Sequence, residues 1–446
     1  MTKLSRGYDI KLLGKAQDSF LDVNQPRLYA LKPTDVHGIG PIPKLTVEIG
    51  SEVLAGDPLF FDKANPGVQF CSPVSGEVVE VRRGARRAIT EVVILADSQI
   101  EFRKHDVPSV ESASREDLVK TMCDAGAWVL IKQRPFNVLA DPDVIPRDIF
   151  VSCMDTAPLA ADQNKVIEGR EAAFQKGLDV LARLTEGSVH LGVGPGAADV
   201  YTKASGVNVH AFSGPHPAGN VGVQIHHIKA INKGETVWTL DPQDVAIIGK
   251  LFTDGVFDAE RVVAVAGDEL NTTGYWRTRI GASIAPVVDS NTKQDNVRYI
   301  SGDVLSGTRI AKDGFVGLYS DLITVVEEGN KMEMFGWLLP QYKRPSRSRT
   351  FLSFLRPNKE YHVNTNNHGD ERAYVVTGQY DAVVPMDILP VYLVKSILYQ
   401  DFEQMEGLGI YEVVEEDLAL CEFVCTSKQP VQQILRSGLD FVRLEG

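Results

Sequence analysis

Four of the chain's nine histidines, His210, His216, His226 and His227, fall within one run free of Asp, Glu, Lys and Arg, Ala204–Ile228. Imidazoles grouped in this way could ligate a metal or donate hydrogen bonds to the carbonyls of a neutral ligand. Metal ligation needs converging side chains and further partners that orient them. The run offers no HxH or HxxxH spacing and holds no carboxylate, so no metal site is expected. A charge-free, polar-lined pocket for a hydrophobic carbonyl compound such as a quinone suits these residues better, with Gly214, His216 and His226 as candidate lining. The competing expectation is a glycine-rich loop packed on a sheet, its histidines satisfied within the protein.

Three other groupings could do chemistry. Asp62-Lys63-Ala64, ahead of Ser72-Pro73-Val74-Ser75-Gly76, has the form of a lipoyl-lysine tripeptide. A carrier needs that lysine at the tip of an exposed hairpin. Phe60–Phe61 before it and Asn65-Pro66-Gly67 after it predict an anchored turn instead. Gly192-Val193-Gly194-Pro195-Gly196 lies where a strand gives way to a helix and a dinucleotide phosphate could sit. Its third glycine comes one residue early for GxGxxG, and Pro195 removes an N–H, so a structural turn is expected. Cys153 is expected to be a small buried hydrophobe. No triad, P-loop or zinc signature occurs, and no catalytic residue is assigned.

At 446 residues the chain should form two to four domains. Its hydrophobic fraction of 43% and charged fraction of 24% are those of a globular protein. A net charge of −13 disfavours nucleic acid and anionic lipid. The one basic knot, Lys343–Arg344 with Arg347 and Arg349, reads as a solvated loop. Five cysteines without regular spacing argue against a secreted disulfide scaffold. No transmembrane segment is expected, because the longest uncharged run is broken by glycines, Pro215 and Pro217.

The expected fold class is multi-domain α/β and α+β. Residues 1–105 read as short strands and glycine turns resembling a biotinyl/lipoyl-type barrel-sandwich. Residues 106–257 alternate helix and strand in a Rossmann-like layer, entered through the capping box Ser114–Asp117. Strands expected at Val262–Ala266, Arg277–Ile284, Val297–Ile300 and Val304–Leu305 make 258–330 a β-grasp unit. Residues 331–446 end in helices, one of them over Pro385–Met405.

Several long strings resemble one family: Met154–Asp162, Phe212–Gly219, Arg83–Arg87, and Glu415–Cys421 with Phe423-Val424-Cys425. They are similar to NqrA, the A subunits of sodium-translocating NADH:quinone oxidoreductases, which resemble RnfC and the flavin- and NADH-binding subunit of complex I. The resemblance implies a peripheral subunit on the cytoplasmic face of the bacterial inner membrane, partnered by membrane-embedded subunits. It assigns NADH, FAD, FMN, a 2Fe-2S cluster and Na+ to the whole complex, with quinone interaction or docking for this chain. Those relatives hold a four-iron cluster through C-x₂-C-x₂-C-x₃-C-P, whose thiolates are the cluster's corner ligands. That spacing falls here on Glu415, Leu418, Cys421 and Cys425, with Thr426 for the proline. Two thiolates cannot hold the cubane, so the positions are vestigial. No counterpart of the relatives' GRGGAGF flavin loop occurs, so no tightly bound cofactor is expected. The alternatives are a lipoyl or biotin carrier through Lys63 and an Rnf-type flavin-binding electron-transfer subunit.

Overall fold

The structure, a computed structural model, describes residues 1–330, 343–347 and 351–445. Of the stretch expected to form the C-terminal unit, residues 331–342, 348–350 and 446 lie outside the described residues, and Arg349 with them.

The barrel-sandwich is built from two small antiparallel sheets. One runs Leu28–Leu31, Ile89–Ala96, Gly76–Arg83, Glu52–Val53; the other runs Lys44–Leu45, Pro58–Asp62, Asn65–Cys71. Alternating residues face inward, so Leu59, Phe60, Val68, Phe70, Val74 and Val78 are buried, with the Phe60 and Phe70 rings stacked at 4.7 Å. Asn65-Pro66-Gly67 begins a strand rather than forming the turn. The turn is Lys63–Ala64 alone.

The Rossmann-like layer has a seven-stranded sheet in the order Thr2–Lys3, Asn208–Ser213, Val189–Val193, Ile149–Cys153, Val237–Leu240, Lys132–Arg134, Val138–Leu139. The first five strands are parallel and the last two antiparallel. The chain's first residues therefore leave the barrel and extend this sheet. The expected helix starts at Ser114, whose hydroxyl accepts the Asp117 N–H at 3.1 Å, and stops at left-handed Gly126. Helices Glu171–Ala182 and Pro242–Asp254 pack against each other at glycines. A Cβ on Gly177 would lie 2.0 Å from the Val245 carbonyl oxygen, and one on Gly249 1.8 Å from that of Ala173. Only glycine permits this approach.

A five-stranded sheet follows, ordered Gly274–Arg279, Glu260–Ala266, Leu322–Glu327, Val297–Ser301, Thr308–Ile310. Two expectations are corrected here. The strand expected at Arg277–Ile284 begins earlier, at Gly274, and Val304–Leu305 is no strand. Asp303 folds that stretch into a turn by accepting the N–H groups of Leu305 (2.6 Å) and Ser306 (3.1 Å). The central strand Leu322–Glu327, rich in β-branched residues, is not among the expected strands. The side-chain amide of Gln243 joins this sheet to the α/β layer, donating to the Val262 carbonyl (2.9 Å) and accepting its N–H (2.8 Å). The buried Arg261–Asp244 pair lies alongside.

The C-terminal helices are Pro390–Leu398, Phe402–Gly407, Glu415–Val424 and Val431–Glu445. The single helix expected over Pro385–Met405 is two. Gln400 takes a left-handed φ of 55°, and Asp401 starts the second helix by accepting the Gln404 N–H at 3.1 Å. These helices share a hydrophobic core with Leu4, Ile10 and Leu12 near the N-terminus. Both ends of the chain are thereby pinned to one core.

Candidate functional site

The four histidines of the uncharged run separate in space. His210 Nε2 lies 2.9 Å from His190 Nδ1, and His227 donates from Nε2 to the Pro385 carbonyl at 2.8 Å. His226 accepts the Asp387 N–H at Nε2 (3.0 Å), so its proton sits on Nδ1 and is donated to Glu412 at 2.6 Å. With both nitrogens engaged, His226 ties helix Val221–Lys229 to the C-terminal helices. It has no donor left for a ligand carbonyl, which corrects its expected place in a quinone lining.

His216 differs. Its ring is 4% exposed, and burial depresses its pKa, so the imidazole is neutral. Thr156 Oγ1 accepts the Gly219 N–H at 2.9 Å and lies 3.2 Å from His216 Nδ1. The hydroxyl can give its own proton to Nδ1, which would place the ring proton on Nε2, or accept a proton from Nδ1 with its second lone pair. In either tautomer the buried Nε2 has no hydrogen-bond partner among the described residues. A buried polar atom left in this way carries the full cost of desolvation, about 1–3 kcal/mol. The loop around it is fixed from the N-terminal side: Asp9 accepts the His216 N–H (2.9 Å), and Tyr8 N–H donates to the His216 carbonyl (2.8 Å). Gly214 packs on the Leu4 carbonyl, 2.6 Å from where its Cβ would be.

Glu415, Leu418, Cys421 and Cys425, the positions on which the cluster spacing falls, lie on helix Glu415–Val424 and its cap. Leu418 and Cys421 are fully buried, Cys425 is 3% exposed, and burial holds the Cys421 thiol well above its ordinary pKa. Cys425 Sγ accepts the Gln429 N–H at 3.4 Å. Arginines grip the helix's acidic first turn. Arg134, 1% exposed at the end of strand Lys132–Arg134, donates to Asp417 (2.7 Å) and Glu416 (2.6 Å), and Arg436 donates to Glu415 (3.1 Å). Gly222 makes room: its Cβ would lie 2.4 Å from both Arg134 Nη1 and Asp417 Oδ2. Arg134 was not legible as a site residue, because its partners lie 283 positions away.

The strand order reverses beside Ile149–Cys153, whose neighbours are Val189–Val193 and Val237–Leu240. Open α/β sheets bind ligands at such a switch point, beyond the carboxyl ends of the strands. Here those ends lead into Asp155 and Asp241, with Asp321 close by. Asp155 is exposed and Asp321 half-buried, and burial reinforced by Asp241 pushes the Asp321 carboxyl up to about 6. After Gly192–Gly196 comes a helix of only four residues, Asp199–Thr202, with an acidic residue in its first turn. A phosphate here would face the acidic side chains Asp155, Asp241, Asp321 and Asp199.

Lys63 is exposed on its two-residue turn, while Asp62 beside it is buried and accepts the Gly40 N–H at 3.2 Å. The strands are anchored but the tip is free, which corrects the expectation of an anchored lysine.

A barrel-sandwich, a Rossmann-like layer, a five-stranded unit and terminal helices define a multi-domain protein of mixed α/β and α+β class. Among the described residues, no helix is long and apolar enough to cross a membrane. Family models match at residues 2–97 (NqrA N-terminal barrel-sandwich hybrid domain), 113–257 (NqrA second alpha/beta domain) and 262–312 (NQRA C-terminal domain). The A subunit of the Na(+)-translocating NADH-quinone reductase of Serratia proteamaculans is 39% identical, that of Yersinia pestis bv. Antiqua 38% and that of Neisseria meningitidis serogroup B 37%, each over the whole of both chains. A solved chain of an air-oxidised NAD+-reducing [NiFe]-hydrogenase aligns with 78% of this chain and 67% of its own, at 9% identity and a TM-score of 0.37. The chain belongs to the NqrA family, the A subunits of Na+-translocating NADH-quinone reductases. Its function is that of a subunit of this oxidoreductase, with NADH and quinone as reactants of the complex and the other subunits as partners.

Proposed function

We propose that this chain is a peripheral subunit without a redox centre of its own, held by protein contact on the cytoplasmic face of the inner membrane, and that it meets quinone through His216. The observation that carries the quinone reading is the buried, unpartnered Nε2 of His216. With the ring proton on Nε2, a quinone carbonyl is the acceptor that this neutral donor lacks, and a carbonyl needs no counter-charge. The quinone would supply two-electron acceptor chemistry. His216 would orient one of its carbonyls, and the Gly214–Gly219 turn, braced by Asp9, Tyr8 and Thr156, would hold the imidazole in place. The acidic switch-point crevice supports the absence of flavin or nucleotide here. The buried, arginine-gripped helix at 415–425 supports the absence of an iron–sulfur cluster. Attachment through protein fits a net charge of −13, which gives anionic lipid little to attract.

The test uses the whole complex carrying His216→Ala. Quinone reduction should fall at least about tenfold, the loss of one well-placed donor (about 1.4 kcal/mol). NADH oxidation by an artificial acceptor should be unchanged. Equal loss of both rates would mean damaged assembly, and no change in either would place the quinone elsewhere.

The exposed tip at Lys63 favours a second reading, a swinging lipoyl or biotinyl arm. A mass increment on the peptide bearing Lys63 would establish it.

A further inference from the structure

We propose that Asp268, Glu269 and His362 form a binding site for a divalent transition-metal ion such as Zn2+, which fastens the C-terminal segment to the five-stranded sheet. One ligand atom from each of the three lies within 4.8 Å of the others. They come from stretches 94 positions apart: Asp268 and Glu269 follow strand Glu260–Ala266, whereas His362 lies just ahead of Asn364, which pairs with Glu327.

The arrangement resembles a ligand set more than an ordinary surface ion pair in three respects. Asp268 and Glu269 both approach the same ring nitrogen, His362 Nδ1: Asp268 in direct contact, Glu269 Oε1 at 3.7 Å. The Glu269 side chain is 7% exposed, and its Oε2 takes a hydrogen bond from Gln294 at 3.0 Å. Oε1 is the oxygen that faces His362 Nδ1. Finally, His362 Nε2 donates to Glu327 Oε2 at 3.0 Å. A carboxylate behind the far nitrogen fixes the tautomer and raises the basicity of a metal-ligating histidine.

Three carboxylates around one imidazole also leave negative charge in excess, whichever way the ring is protonated. An ion entering the site takes the place of the proton between Nδ1 and Asp268. A donor set of one nitrogen and two carboxylates suits Zn2+, Mn2+ or Ni2+ rather than the all-oxygen sites of Ca2+ and Mg2+. His362, 47% exposed, leaves the ion a way in. All five cysteines are buried and so are poor competitors for it.

The experiment is calorimetric titration of Zn2+ into the full-length, chelator-treated chain, beside His362→Ala and Glu269→Gln. Glu269→Gln keeps the side chain's shape, and its metal-free melting curve reports whether it folds as the wild type does. The expected result is about one Zn2+ per chain, binding roughly tenfold or more weaker in each variant, and a rise in melting temperature with Zn2+ in the wild type only. No binding by the wild type, or equal binding by both variants, would overturn the proposal. The latter would mark His362 as an imidazolium clasp between carboxylates.

Discussion

Arg134, on the seven-stranded sheet, donates to Asp417, on a C-terminal helix, at 2.7 Å, with side-chain exposures of 2% and 0%. Removing one partner strands the other in a dry environment. Asp417→Ala should therefore destabilise the chain by about 3–5 kcal/mol. The double variant Arg134→Met, Asp417→Ala should lose much less than the sum of the single changes. Urea unfolding of the four proteins in the cycle measures this, and additive losses would sink it.

The cysteines at the vestigial positions should be inert. Cys421 is fully buried with its thiol held protonated, and Leu418 occupies core space. Anaerobic reconstitution with iron and sulfide should leave no stoichiometric iron and no cluster absorbance. Recovery of about four irons per chain, the content of a cubane, would refute the vestigial reading.

Lys63 divides two functional readings cleanly. If the exposed tip carries no prosthetic arm, Lys63→Arg leaves quinone reduction by the assembled complex within about twofold of wild type, as a surface substitution should. A many-fold loss with assembly intact would revive the carrier.

Asp321 provides a pH dependence. Its folded pKa, about 6, lies above the ordinary 3.8, so the folded state holds the proton more tightly than the unfolded chain. Its contribution to stability is complete below about pH 4 and is lost as pH rises through 6. Asp321→Asn removes that penalty. It should stabilise the protein by about 1 kcal/mol at pH 8, a figure reduced for partial solvent screening, and by almost nothing at pH 4. Thermal melts at the two pH values decide it; equal shifts at both would exclude a charge effect.

Much of the local architecture was legible because its causes are local. Ser114 and Gly126 mark the ends of a helix through their own hydrogen bonding and backbone freedom. Val189–Val193 places Val189, Leu191 and Val193 at alternate positions, the period of two that marks a strand. Strand Leu322–Glu327, a β-branched run between acidic residues, carries a local strand signal too, although it is not among the expected strands. Its place between Glu260–Ala266 and Val297–Ser301 comes from pairing partners far away in the chain.

For the site, residue identity bears on which chemistry to expect: with Glu415 and Leu418 where the cluster spacing would put two thiolates, no cubane held by four cysteines is expected there. The residue types of the uncharged histidine run were equally plain. Which histidine keeps an unpartnered nitrogen was not, because that depends on partners brought from elsewhere. Glu412 and the Asp387 amide use up His226, while His216 Nε2 is left without a partner among the described residues. Folding alone made the Arg134–Asp417 closure and brought His362 to Asp268 and Glu269. Ion pairs and ligand sets form by proximity in space, and residues 283 and 94 positions apart leave no trace of that proximity in local spacing.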